Sequence, residues 1–281
     1  MQVREACAPH FYAGDCARLT ERFLQGFSVP ERPSKAVAGI VPHAGWQYSG
    51  AVAAKVFKSI QQKGNPATFV IFGAAHRWRG LNSVYAHGAW ATPLGNIGID
   101  EGLAARILDA TPEWTVKEPK AHSGEHSIEV QLPFLKHLFP QAKLVPVLVN
   151  PDFHALLLGK RVGEILKNFE RPVVVIGSSD LTHYGDAYAF TPAGYGPKAR
   201  QWVRENDARI LRLAERMAAA ELSREAARNQ NACGPGAIAA TIAAAQVLGA
   251  ERGHLVEYTT SHDVAGKGEF RTAVGYAGLL F

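Results

Sequence analysis

Residues 35–50 read KAVAGIVPHAGWQYSG, an apolar run that stops at a histidine and is followed within two residues by glycine. Short apolar, β-branched runs bounded by Gly, Ser and Pro favour buried strands over helices. This run is therefore expected to be a strand that delivers His43 to a sheet edge. The design recurs in residues 67–76 (ATFVIFGAAH) and 172–183 (PVVVIGSSDLTH), the second placing His183 a few residues past its apolar core. Ligands of open parallel sheets bind just outside the carboxyl ends of the strands. His43, His76 and His183 are accordingly expected to converge on one site.

Helix and strand patterns alternate outward from these runs. Ser49 and Gly50 are expected to cap a helix over 51–62 that ends at the breakers Lys63-Gly64-Asn65-Pro66. Residues 77–98, rich in glycine and carrying Trp78 and Trp90, form a long loop expected to fold over the sheet edge as part of the site. Asp100 caps a helix to about 110, and residues 127–138 have helical apolar spacing interrupted by Pro133. A strand over 143–149 and a crossover helix over 152–169 lead into the strand beginning at 172. A long amphipathic helix over 197–220, an Ala-rich helix over 235–248 and two closing strands, 255–260 and 272–281, complete the reading. Such alternation predicts an α/β fold with a mostly parallel central sheet flanked by helices. With no linker, repeat or low-complexity break, residues 1–281 are expected to be a single domain.

The composition narrows the function classes. At 281 residues and 47% hydrophobic content, the chain has ample material for a packed core. Its opening, MQVREACAPHFYAGD, lacks the apolar stretch of a signal peptide, and no run of 18 apolar residues occurs, so neither secretion nor membrane insertion is expected. The three cysteines Cys7, Cys16 and Cys233 form no CxxC pair and leave one over, which points to a reducing compartment, the cytoplasm. The net charge is +5, but the cations between Lys198 and Arg228 are interleaved with acids, as on a solvated helix face. Nucleic acid is therefore not the expected partner.

Cys233 lies in Asn231-Ala232-Cys233-Gly234-Pro235-Gly236, at or beside a helix N-cap, with Pro235 suited to the first turn. The helix dipole and free N–H groups there are expected to lower the thiol's pKa and favour a thiolate. With His43 and His76 it would offer two neutral imidazoles and one anion, leaving positions open for water, oxygen or substrate. On spacing alone, the alternative is a buried cysteine and two satisfied histidines. Asp180 and His183, three residues apart, suit a general base and the carboxylate that orients it, or simply a capped turn. His126 and Glu129 repeat that spacing in a polar-dense stretch, as acid–base groups, partners of the ligands or a capped helix start. Ser261-His262-Asp263 is no triad, because adjacent residues on an extended chain point to opposite faces.

Together, residues 42–50 (PHAGWQYSG), 125–134 (EHSIEVQLPF), 178–185 (SSDLTHYG) and 232–234 (ACG) resemble the MEMO family, including the AmmeMemoRadiSam system protein B. The motifs occur in the family's order and cover most of the chain. The resemblance implies a fold similar to class III extradiol (LigB-type) dioxygenases, with His43, His76 and Cys233 at the metal-ligand positions and Asp180 and His183 in the same pocket. Two departures stand out: Gly73-Ala74-Ala75-His76 lacks the family's frequent Pro-Ser or Pro-Asn, and Ala8-Pro9-His10-Phe11-Tyr12 is an altered form of its N-terminal motif.

The resulting expectation is a mononuclear non-haem Fe(II) protein, with Cu or Zn as other metals suited to sulfur. It would have dioxygenase-like chemistry on a small aromatic or diol-type substrate. His183, oriented by Asp180, would take a substrate proton, with His126 assisting. Alternatives are an iron- or copper-binding or peptide-binding protein without turnover, and a zinc hydrolase. The resemblance also implies AMMECR1-like and radical-SAM partner proteins.

Overall fold

A computed structural model describes residues 2–12, 14–266 and 268–281. The chain enters through a short strand, β1 (Val3–Arg4), and helix α1 (Cys16–Leu24), whose N-cap Asp15 accepts the Arg18 N–H at 3.0 Å. Strand β2 (Ala38–Val41) is buried at every position and ends two residues before His43. The following helix α2 (Trp46–Lys63) starts at an N-cap Gly45, earlier than the capping role expected of Ser49 and Gly50. Ser49 sits inside the first turn instead, its hydroxyl donating to the Ala44 carbonyl at 3.0 Å.

Strand β3 (Thr68–Ala74) carries the chain to His76. The next stretch, expected as a loop over the site, builds β4 (Asn82–Val84), β5 (Ala89–Trp90) and β6 (Ile97–Gly98). β4 extends the main sheet, while β5 and β6 join β1 in a separate three-stranded sheet. This stretch is held away from a covering role because Trp90 is buried beneath the Arg4 guanidinium, 4.0 Å from its ring centroid, and against His122.

Helix α3 (Glu101–Ala110), capped by Asp100, leads to β7 (Thr115–Val116) and then, after two 3₁₀ turns, to α4 (Leu132–Leu138). Pro133 begins this helix rather than interrupting it, since the first turn needs no N–H from that position. β8 (Lys143–Val149), α5 (Phe153–Lys167) and β9 (Val173–Ser178) follow as expected, then the short β10 (His183–Tyr184). The long helix expected over 197–220 is two helices, α6 (Pro197–Glu215) and α7 (Ala219–Asn229), because the chain turns at Met217, whose φ is 59°. Helix α8 (Pro235–Val247), β11 (His254–Thr260), α9 (Ser261–Ala265) and β12 (Ala273–Leu280) close the chain.

The main sheet has the order β10-β12-β2-β9-β3-β8-β4-β7, with β11 also paired to β12. Its centre, β2-β9-β3-β8, is parallel, as helix–strand alternation predicts. The flanks are antiparallel: β12 runs against β2, β10 and β11, and β4 runs against β8. Helix α8 is buried almost throughout and crosses α5 closely. The crossing depends on Gly159, where a Cβ would overlap the Ala240 backbone. This packing fixes the start of α8, and with it Cys233, beside the ends of β8 and β9. Among the described residues no helix is long and apolar enough to cross a membrane.

Candidate metal centre

A cavity of about 550 Å³ opens at the carboxyl ends of β2, β3 and β9, lined by His43, His76, His126, Asp180 and His183, with Phe11, Tyr48 and Tyr188 among its walls. His43, His76 and Cys233 each offer one ligand atom, all within 4.8 Å of one another. The structure thus brings together the three residues expected as metal ligands and places the three expected as catalytic around them.

The hydrogen bonds of His43 fix which ring nitrogen is bare. Ser178 Oγ has one proton, and that proton goes to the Ser127 carbonyl at 2.6 Å. Gln131 Nε2 donates to the same hydroxyl at 3.2 Å and to the Pro42 carbonyl at 2.8 Å. Toward His43 Nδ1, at 3.0 Å, Ser178 Oγ is therefore an acceptor, so Nδ1 carries the hydrogen. Nε2 is left with its lone pair, which accepts the Cys233 thiol hydrogen at 3.2 Å. Metal–nitrogen bonds of about 2.0–2.1 Å and metal–sulfur bonds of about 2.3 Å would put these atoms roughly 3.1–3.6 Å apart at square to tetrahedral angles. The observed His43–Cys233 spacing falls in that window, so this pair fits one metal ion as it stands, with the His76 donor within 4.8 Å of both.

His76 is held by the same logic. Its Nδ1 lies 3.0 and 3.2 Å from the two oxygens of Glu125, and its backbone N–H donates to Glu125 Oε2 at 3.2 Å. Burial pushes the Glu125 carboxyl up, but the hydrogen bond and charge of His76 and the Ser127 N–H outweigh it and bring it to about 2. The carboxylate therefore accepts the Nδ1 hydrogen and leaves Nε2 as the free nitrogen. Glu125 was missed by sequence reasoning, which chose its neighbours His126 and Glu129. Glu129 lies elsewhere, accepting from Arg4, the Cys7 and Ala8 N–H groups and the Tyr12 hydroxyl to tie down the N-terminal segment. Nothing in the spacing distinguishes the two glutamates.

Cys233 precedes the N-cap Gly234, and its sulfur accepts the Asp180 N–H at 3.2 Å. The thiol is nevertheless pushed up, first by burial and then by the Asp180 charge, against the lowering expected from the helix terminus. Thiolate formation here would accompany metal binding, which displaces the proton.

Asp180 does not orient His183. Its Oδ1 accepts the His43 backbone N–H at 2.7 Å, while His183 Nδ1 is held at 3.1 Å by the Leu181 carbonyl. A carbonyl can only accept, so His183 carries a hydrogen on Nδ1. Burial raises the Asp180 carboxyl, opposed by His183 and by the His43 N–H. His126 lies parallel to His76 with ring centroids 5.1 Å apart, edge-on to His43, and is covered by Phe11 at 4.5 Å. Burial lowers His126 to about 4, so its ring is neutral at pH 7.

Helix α6 ties two of the site's loops together. Asp207 accepts the Thr182 N–H at 2.9 Å, and Asn206 Nδ2 donates to Thr182 Oγ1 at 3.0 Å. The Asn231 amide, two residues before Cys233, donates to the Asn206 carbonyl at 2.9 Å.

Fold and donor set define an α/β protein with a three-donor candidate metal centre at the strand ends. The Memo-like protein family matches residues 4–280, and the chain belongs to that family. It is 34% identical over 287 residues to a MEMO1 family protein of Thermococcus onnurineus, covering 98% of each chain. It is 35% identical over 285 residues to one from Methanosarcina acetivorans, covering 100% of this chain and 99% of that one. In fold it is similar to an uncharacterized protein of Escherichia coli K12, with a TM-score of 0.57 and 12% identity, over 88% of this chain and 100% of that one.

Proposed function

We propose that this protein is a mononuclear non-haem metal protein that holds Fe(II) through His43, His76 and Cys233 and has a dioxygenase-like active site, as the likeness to LigB-type enzymes implies. The observation that carries this reading is the pair of fixed tautomers: Ser178 and Glu125 take the Nδ1 hydrogens of His43 and His76 and free a nitrogen of each ring beside Cys233. Bound iron would supply a Lewis acid for a chelating diol and electrons for oxygen.

The chain's own residues do the rest. His183, held through Nδ1 by the Leu181 carbonyl and lining the cavity, accepts a proton at Nε2 from a small aromatic or diol-type substrate. Neutral His126, clamped between Phe11 and His76, offers a second hydrogen-bonding group. Asp180 holds the His43 main chain and donates its own N–H to the thiolate, so it supports the ligands rather than the base. The reading places the protein in the cytoplasm, with AMMECR1-like and radical-SAM proteins of an AmmeMemoRadiSam system as partners.

The first test is metal content by plasma mass spectrometry on protein purified without oxygen, beside a folded His43→Ala/His76→Ala/Cys233→Ala variant. Near-stoichiometric iron that the variant loses is expected, followed by oxygen uptake with a panel of diols. Absence of metal from both proteins after anaerobic reconstitution would overturn the ligand set. The thiolate favours a second reading, because sulfur also suits Cu(I) and Zn²⁺. In that case the protein would bind metal tightly with no steady-state oxygen consumption.

A further inference from the structure

A second cavity, of about 930 Å³, lies between α6 and α7 and shares no lining residue with the metal cavity. Arg209 and Arg212 on α6 and Arg216 at its C-cap recur at three- and four-residue steps, and Arg224 and Arg228 are four apart on α7, so each side of the cleft presents one row of guanidinium groups. The left-handed turn at Met217 folds the two helices into a hairpin, and Arg252 from the segment after α8 also lines the cleft.

These arginines are not used by the fold. Among the described residues, none of the six makes an ion pair or side-chain hydrogen bond within the chain. Arg161, Arg171, Arg200 and Arg204, by contrast, each reach a carboxylate oxygen at 2.5–2.8 Å. Four glutamates, Glu215, Glu221, Glu225 and Glu251, line the same cleft, so six cations face four anions, an excess of two. Glu225 is already held by the amides of Asn229 and Asn231.

We propose that this cleft binds the polyphosphate chain of a small anion, either a nucleoside triphosphate or inorganic polyphosphate. Guanidinium groups match phosphate oxygens in paired hydrogen bonds, and two facing rows can clasp a short run of successive phosphates. The concave shape suits a compact ligand. The arginines are confined to this cleft and interrupted by four glutamates, so they form no extended basic stripe along which a nucleic-acid backbone could run. In a nucleotide, those same carboxylates can accept ribose hydroxyls, which inorganic polyphosphate lacks.

The test is calorimetric titration of the metal-free protein with ATP, inorganic tripolyphosphate and adenosine at about 150 mM salt. Saturable binding of ATP or tripolyphosphate is expected, with none of adenosine. Clearly tighter ATP assigns a nucleotide, and equal affinities assign the inorganic chain. Arg212→Gln/Arg224→Gln should weaken binding about tenfold or more, while Arg161→Gln, outside the cleft, should leave it unchanged. Circular dichroism checks that all variants are folded. No saturable binding of either phosphate compound, no loss in the paired variant, an equal loss in Arg161→Gln, or a short DNA duplex outcompeting ATP would each overturn the proposal.

Discussion

Replacing Glu125 with glutamine tests whether the tautomer of His76 makes the metal site. The change keeps the shape of the side chain and removes one acceptor. In the native protein Oε1 accepts from His76 Nδ1 at 3.0 Å and from the Ser127 N–H at 2.9 Å, and Oε2 accepts the His76 N–H at 3.2 Å. Glutamine has one oxygen and one NH₂. With its oxygen at the Oε1 position, the NH₂ faces the His76 N–H, donor against donor. Turned the other way, it donates to Nδ1 and drives the imidazole hydrogen onto Nε2, the nitrogen that would meet the metal. Either arrangement costs metal affinity, and the loss of such outer partners is typically about 10–100-fold, or about 1.4–2.7 kcal/mol. Anaerobic titration with Co(II) against a competing chelator measures it, the thiolate-to-cobalt absorption reporting occupancy of Cys233. Glu129→Gln serves as control, since Glu129 is also a buried carboxylate but touches only the N-terminal segment and Tyr12. The reasoning is refuted if Glu125→Gln binds Co(II) as tightly as the native protein, or if both variants lose affinity equally.

Ser178→Ala removes the acceptor for His43 Nδ1, and affinity in the same titration should fall by about tenfold, less than for Glu125→Gln because the lost acceptor is neutral. Asp207 is buried, and burial raises its carboxyl to about 6 against the Thr182 and Tyr258 hydrogen bonds. A raised folded pKa means the folded state holds the proton more tightly. Its contribution to stability is thus complete below about pH 4 and is lost as pH rises through about 6, a change of about 3 kcal/mol. Denaturant titrations of native protein and Asp207→Asn should therefore diverge between pH 4 and 7, the native protein losing relative stability; parallel curves would refute the assignment. Gly159→Ala forces a methyl into the Ala240 backbone and should cost about 1–3 kcal/mol, read as a lower urea midpoint with an unchanged slope.

The strand ends were legible because an apolar run that stops at a polar residue is a local signal, and each of the three runs proved to be a buried strand of the parallel centre. Other features depend on neighbours remote in sequence. A non-glycine residue in a left-handed conformation, as at Met217, gives no compositional cue, so one expected helix became two. The thiol of Cys233 follows the same rule: its place beside a helix start is visible in Pro235, but the burial and the Asp180 charge that raise it come from another loop. Asp180 was paired with His183 because they are three residues apart, yet its carboxylate serves His43, 137 residues away. His43 shows why the division falls there. Its position follows from one strand, whereas its usable nitrogen is selected by Ser178 at the end of β9, Gln131 before α4 and the Ser127 carbonyl. The motif supplies a ring, and two distant segments, residues 127–131 and the end of β9, decide which of its two nitrogens can bind a metal.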